Sequence, residues 1–167
     1  MLASSASFAD KAGMAADDTH RAIEAVFRIE RARLIAGLAR IVRDYADQPA
    51  AVRASYLTAD LDHDDENLAS ATEHYRQAIR LSPTSDEAAI ARMRLGGIAY
   101  AAGRYEEALR EFDEFRNTHR TGRVHQQAAY WSAQALNRLG RTDEARALLA
   151  QVRRLDPFSY YAGLAAA

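Results

Sequence analysis

The feature that most constrains this chain is an internal repeat. Aligning Ala71 with Ala108 and Ala145 gives a period of about 37 residues, and other positions follow in register: Tyr75, Phe112 and Leu149; Ala78, Phe115 and Val152; Tyr56, Met93 and Tyr130. Gly103 and Gly140 share one place in the unit, and Pro83 and Pro157 close the first and third units. A period of this length marks a supersecondary unit that buries its apolar face only by stacking on its neighbours. Alanine, leucine, arginine and glutamate dominate, with three prolines and eight glycines in 167 residues. That balance favours helix throughout. The pattern predicts an all-α, right-handed solenoid of about three helical hairpins, at 50–63 with 67–81, 86–102 with 105–118, and 124–139 with 142–155, and a last short helix from near Ser159.

Upstream of the array, Ile23, Val26, Phe27, Leu34, Leu38, Ile41 and Tyr45 recur every three or four residues and form one helical stripe. The expected organisation is a disordered segment 1–16, an amphipathic helix 17–46 started by Asp17, Asp18 and Thr19, and the array over 50–167. The long helix is expected to cap the open end of the array. The opposite end, Tyr160 to Ala167, is small and apolar, and is expected to pack on another domain or on a second copy of the chain.

The middle unit, LGGIAYAAGRYEEALREFDEF from Leu95 to Phe115, resembles the tetratricopeptide pattern of Leu-Gly, tyrosine, turn glycine, alanine and aromatic. It departs from it at Tyr100, one place late, at Arg92 in place of the usual tryptophan, and at Arg120 in place of the closing proline. Gly96 and Ala108 are expected to let two helices approach closely, and Gly103 to end the first helix in the left-handed conformation. The segments Ala129–Leu136, Leu139–Arg141 and Asp156–Ala166, with Tyr130-Trp131 and Ser159-Tyr160-Tyr161, resemble the superhelical region of bacterial soluble lytic transglycosylases. That resemblance implies a scaffold beside a domain that cleaves peptidoglycan; the catalytic Glu-Ser motif of that family has no counterpart here. A second stretch, Asp17 to Arg40, is similar to the opening helix of some extracytoplasmic-function sigma factors, without their promoter-melting or helix-turn-helix segments.

Chemistry is narrowed mainly by what the residue pattern omits. With no cysteine there is no thiolate nucleophile, disulfide or cysteine metal site. Asp60, Asp62, Asp64, Asp65 and Glu66 suggest a calcium loop, but Asp65 and Ala71 stand where an EF-hand needs glycine and glutamate, so a solvated acidic turn is expected. The histidines His63, His74, His119 and His125 have no HExxH spacing and read as surface or packing residues. No nucleophile elbow or phosphate-binding glycine loop is present, and no enzyme activity, cofactor or metal is expected.

The net charge of -1 gives no global pull toward nucleic acid or anionic lipid. Arg21, Arg28, Arg31, Arg33, Arg40 and Arg43 on the first helix are nearly balanced by Asp17, Asp18, Glu24, Glu30 and Asp44, so a solvated or salt-bridged face is expected. No span of about 20 apolar residues is present to cross a membrane. Met1 to Thr19 lacks the basic start and apolar run of a secretory leader. The transglycosylase resemblance implies the periplasm or cell envelope; without it the cytoplasm is expected.

In tetratricopeptide arrays, which the middle unit resembles, the first helix of each pair lines the concave groove, and the resemblance implies the same here. That phasing marks Arg53, Tyr56, Tyr100, Gln127, Tyr130, Gln134, Asn137 and Arg138 as a ligand-binding groove. Tyrosine, amide and arginine side chains suit a peptide or a glycan strand, since they combine flat surfaces with hydrogen-bonding groups. Tyr56, Tyr100, Tyr130 and Trp131 are read first as wedges between helices and second as a sugar-stacking surface. The expected function is a non-catalytic scaffold for a peptidoglycan strand or a partner protein, with a general protein-interaction adaptor as the alternative and a transcription regulator as a remote third.

Overall fold

The computed structural model describes residues 4–47, 49–120 and 123–166, and among them all regular structure is helical. The order is α1 (Ser4–Asp44), α2 (Pro49–Asp64), α3 (Leu68–Leu81), α4 (Asp86–Ala101), α5 (Tyr105–Thr118), α6 (Arg123–Arg138), α7 (Thr142–Leu155) and α8 (Tyr160–Leu164). Consecutive helices pack on one another from α1 to α8. The inner helices start at Pro49, Asp86, Arg123 and Tyr160, each 37 residues after the last. The outer helices end at Leu81, Thr118 and Leu155 with the same spacing, and Asp44, the end of α1, lies on that series.

The hairpin turns show why the period is so exact. Glu66, Gly103 and Gly140 all have positive φ, at 60°, 75° and 75°. The residue after each returns its N–H to the inner helix: Asn67 to the Asp62 carbonyl, Arg104 to Ala99 and Arg141 to Leu136, at 2.9 Å in all three. The left-handed residue itself bonds to His63, Tyr100 and Asn137 respectively. This is the paired closure of a Schellman end, which satisfies the last carbonyls of the helix and reverses the chain. At the other connections, Ser85 and Ser159 each accept a hydrogen bond at 3.1 Å from the N–H three residues on, and so cap α4 and α8.

Packing follows the repeat. Ala71, Ala108 and Ala145 are fully buried, as are Ala78 and Val152, with Phe115 nearly so. Alanine at these contacts lets helix axes come close; Tyr75 and Phe112 fill the space between pairs. A Cβ built on Gly96 would lie 2.7 Å from Phe112 Cδ1, so the close approach expected at Gly96 is to the Phe112 ring. Burying a ring of this size stabilises by about 2–3 kcal/mol.

The first helix departs from expectation at its start. It begins at Ser4, so Asp17, Asp18 and Thr19 lie inside it rather than capping it. Its last part does pack on α2, where the Arg31 guanidinium bonds the Leu61 carbonyl and meets Asp65 at 2.6 Å. The apolar stripe is covered only there. Leu38 and Ile41 are half-buried, whereas Ile23, Val26, Phe27, Leu34 and Tyr45 are exposed. Length explains this: 41 residues span about 60 Å at the helical rise, against about 24 Å for the 16 residues of α2. The salt-bridged face is present in part, with Arg33 on Glu30 and Arg43 on Asp44. At the other end α8 folds back on α6 and α7, with Ala162 buried and Tyr161 and Ala165 on the same cluster. The expectation that this end needs a foreign surface is therefore corrected for that face, while Phe158 and Tyr160 remain exposed.

Two stability predictions follow from the turns and the tight contact. Glu66→Gly should raise stability by about 1 kcal/mol, and Gly103→Ala should lower it by about as much, because only glycine takes the left-handed conformation without cost. Urea unfolding followed by circular dichroism measures both. Gly96→Ala should cost roughly 1–3 kcal/mol through overpacking against Phe112, and adding Phe112→Leu should recover part of that loss.

Candidate functional site

The first helices of successive hairpins, α4 and α6, leave between them a cavity of about 450 Å³. Its lining is mostly apolar: Ile90, Met93, Gly97 and Ala101 from α4, Phe112 from α5, and Val124 and Trp131 from α6. Arg94, Tyr100 and Gln127 supply the polar groups. Concave, mainly apolar sites with a few polar groups are the usual form of a binding pocket.

Aromatic rings wall one side. Trp131 meets Tyr100 edge-on at 5.3 Å and Tyr130 at 5.6 Å, Tyr100 meets Tyr105 at 5.4 Å, and Tyr130 continues to Tyr161 at 5.7 Å. These separations suit attractive edge-to-face packing, which holds the indole in place. The rings thus wedge successive helices together, as expected first of them.

A polar network closes the next crevice, between α2 and α4. Tyr75 Oη donates to Asp60 at 2.5 Å, and Arg94 Nε lies 3.5 Å from the same carboxylate. Tyr56 adjoins the same network, with Asp60 and Arg94 as its electrostatic neighbours. Burial, then the Asp60 hydrogen bond and charge, pushes the Tyr75 hydroxyl far above the ordinary tyrosine range. Tyr56 moves the same way, through burial and then Asp60. The acidic turn is therefore not simply solvated. Asp62 is buried and accepts from Ser70 Oγ at 2.7 Å and His74 Nδ1 at 2.8 Å, while Asp65 pairs with Arg31. Sequence spacing could not show that these carboxylates face inward across a hairpin. The histidines are packing residues: His74 on Asp62, His63 within 3.4 Å of Tyr75 Oη, and His125 buried with its Nδ1 donating to the His119 carbonyl.

The eight residues marked from sequence fall in three groups. Tyr100 and Gln127 line the cavity, and Arg138 lies exposed on α6 with Tyr100 as its main electrostatic neighbour. Tyr130 and Gln134 are half-buried on α6, with Tyr130 in the aromatic wall. Tyr56 belongs to the Asp60 network; Arg53 and Asn137 are exposed on α2 and α6. The cavity residues left unmarked are Ile90, Met93, Arg94, Gly97, Ala101, Phe112, Val124 and Trp131. The repeat contained the signal for four of them, since Ile90 is in phase with Arg53 and Gln127, Met93 with Tyr56 and Tyr130, Gly97 with Gln134, and Ala101 with Arg138.

These hairpins and left-handed turns agree with a family model, the tetratricopeptide repeat-like domain, that matches residues 6–153. The chain belongs to this family. As a tetratricopeptide repeat-like domain it is similar in structure to MamA: the crystal structure of MamA protein aligns with a TM-score of 0.61 at 17% identity, over 74% of this chain. The chain spans 62% of the length of that structure. The MamA RS-1 ArsTM double mutant aligns with a TM-score of 0.61 at 16% identity, over 89% of this chain and 76% of that one. At these identities the likeness is one of fold. No curated protein matches the chain. Among the described residues of the repeat domain no helix is long and apolar enough to cross a membrane.

The Tyr75 environment gives a prediction with a definite sign. A phenol whose folded pKa is raised keeps its proton when the unfolded chain has lost its own, so stability is complete below about pH 10 and falls above it. Unfolding free energy should decline from about pH 10 upward, by up to about 1.4 kcal/mol per pH unit from this one group. The decline should be shallower in Tyr75→Phe.

Proposed function

We propose that the chain is a non-catalytic scaffold that holds a segment of another protein along the concave face of α2, α4 and α6. The observation that carries this reading is the apolar cavity between α4 and α6, edged by Arg94 and Gln127. Apolar pockets with sparse polar rims anchor side chains, and the neighbouring amide and guanidinium groups can meet a peptide backbone. Family membership supports a binding role, because stacked repeats present extended concave surfaces. These features favour the adaptor reading, second on the sequence, over the glycan-holding one.

A glycan-holding scaffold, the superhelical part of a transglycosylase-like protein in the cell envelope, is the second reading. The run of rings from Tyr100 through Trp131 and Tyr130 to Tyr160 favours it, since flat aromatic faces can pack on sugar rings. Against it, the same rings pack mainly on one another. The sigma-factor-like stretch lies within the residues matched by the repeat family, and its Arg31 is tied to α2, which favours a structural part for that helix.

Panning a library of random peptides against the immobilised protein, beside a pull-down on insoluble peptidoglycan, separates these readings. Peptide retention that is lost in Tyr130→Ala with Gln134→Ala, at unchanged helical circular dichroism, is the expected result. Retention on peptidoglycan without peptide binding would move the function to the glycan reading, and retention of neither would overturn both.

A further inference from the structure

The cavity owes its existence to one position in the repeat. Gly97 stands 37 residues after Asp60 and 37 before Gln134, so its neighbours in phase both carry polar side chains. One repeat earlier, the corresponding crevice is filled by the Asp60 carboxylate with Tyr56, Tyr75 and Arg94. One repeat later, Gln134 stands there, half-buried. At Gly97 nothing lies within 4 Å of where a Cβ would be, and the space above it is the cavity. A helix-interior glycine costs about 1 kcal/mol relative to alanine, and no close contact or positive φ requires one at this place.

The walls around this opening specify what fits. Ile90 and Val124 present large apolar surfaces at the rim, 44% and 49% exposed, and Met93, Phe112 and Trp131 lie deeper. The charge in its lining is positive: Arg94 is on the wall, and its partner Asp60, 3.5 Å away, lies outside that lining. Asp60 already accepts a hydrogen bond from Tyr75.

We propose that the Gly97 cavity is the anchor subsite of the peptide groove, taking one bulky apolar side chain of a partner segment whose adjacent residue is acidic. This rests on the groove reading and deepens it: the apolar side chain enters between α4 and α6, and the carboxylate beside it meets Arg94. The Gly97 gap confines the anchor to the middle repeat, which sets the register of the bound segment.

The test uses the full chain, a displayed library of random peptides about a dozen residues long, and two variants designed from the repeat. Gly97→Gln copies Gln134, so the fold accommodates the side chain while the cavity is filled. Arg94→Glu reverses the charge at the wall. Wild type is expected to enrich a bulky apolar residue next to Asp or Glu. A synthetic peptide of that type should shift the emission of Trp131, the single tryptophan of the chain. Gly97→Gln should weaken that peptide at least about tenfold, a typical loss for an anchor side chain. Arg94→Glu should turn the neighbouring preference from acidic to basic. Enrichment with no apolar–acidic pair, or equal binding by Gly97→Gln with native circular dichroism, would overturn the subsite and leave the groove standing. No peptide retained by wild type would defeat the groove reading and this inference together.

Discussion

The rest of the structure depends on the left-handed turn that closes each hairpin. At Glu66, Gly103 and Gly140 the chain reverses through the same pair of backbone hydrogen bonds, and each following outer helix begins two residues later. A constant turn gives constant helix lengths, and constant lengths bring the alanines at 71, 108 and 145 to equivalent close contacts. Glycine is found at two of the three turns; Glu66 holds the same conformation with the same pair of backbone hydrogen bonds.

Regularity in the backbone leaves variation to the side chains between the inner helices. Between α2 and α4 the phase positions bring together a carboxylate, two phenols and a guanidinium, which satisfy one another in a partly buried network. Between α4 and α6 the same phase brings Gly97, Ile90, Met93 and Trp131, and the crevice stays open. The same frame thus carries a polar network at one place and an open cavity at the next. Arg76 with Glu107 at 2.9 Å ties successive hairpins together, and Arg92 with Glu111 at 3.3 Å ties α4 to α5 within one, each with little net energy at partly exposed sites.

The first helix shows where the repeat logic stops. Its end at Asp44 keeps the phase of the outer helices, yet one period before Glu66 stands Ile29, in a run with no glycine from Ala15 to Ala36. Without a residue suited to the left-handed turn the chain continues as helix. The overhang beyond α2 leaves Val26 and Phe27 exposed, so an amphipathic stripe that reads as buried in sequence is only partly covered.

By itself the sequence determined the all-helical class, the hairpin boundaries to within a few residues, the turn glycines and the buried alanine series, because each is set by local periodicity or backbone conformation. It also marked Tyr100 and Gln127 on the inner helices. Only the tertiary structure decided that Asp60 and Asp62 face inward, that Arg94 bridges to Asp60, and that Gly97 leaves a cavity roofed by Trp131 and floored by Phe112. Those facts depend on which side chains of different helices converge and on how much volume they leave unfilled. Spacing along one chain does not encode either quantity, since an empty place is defined by the residues around it.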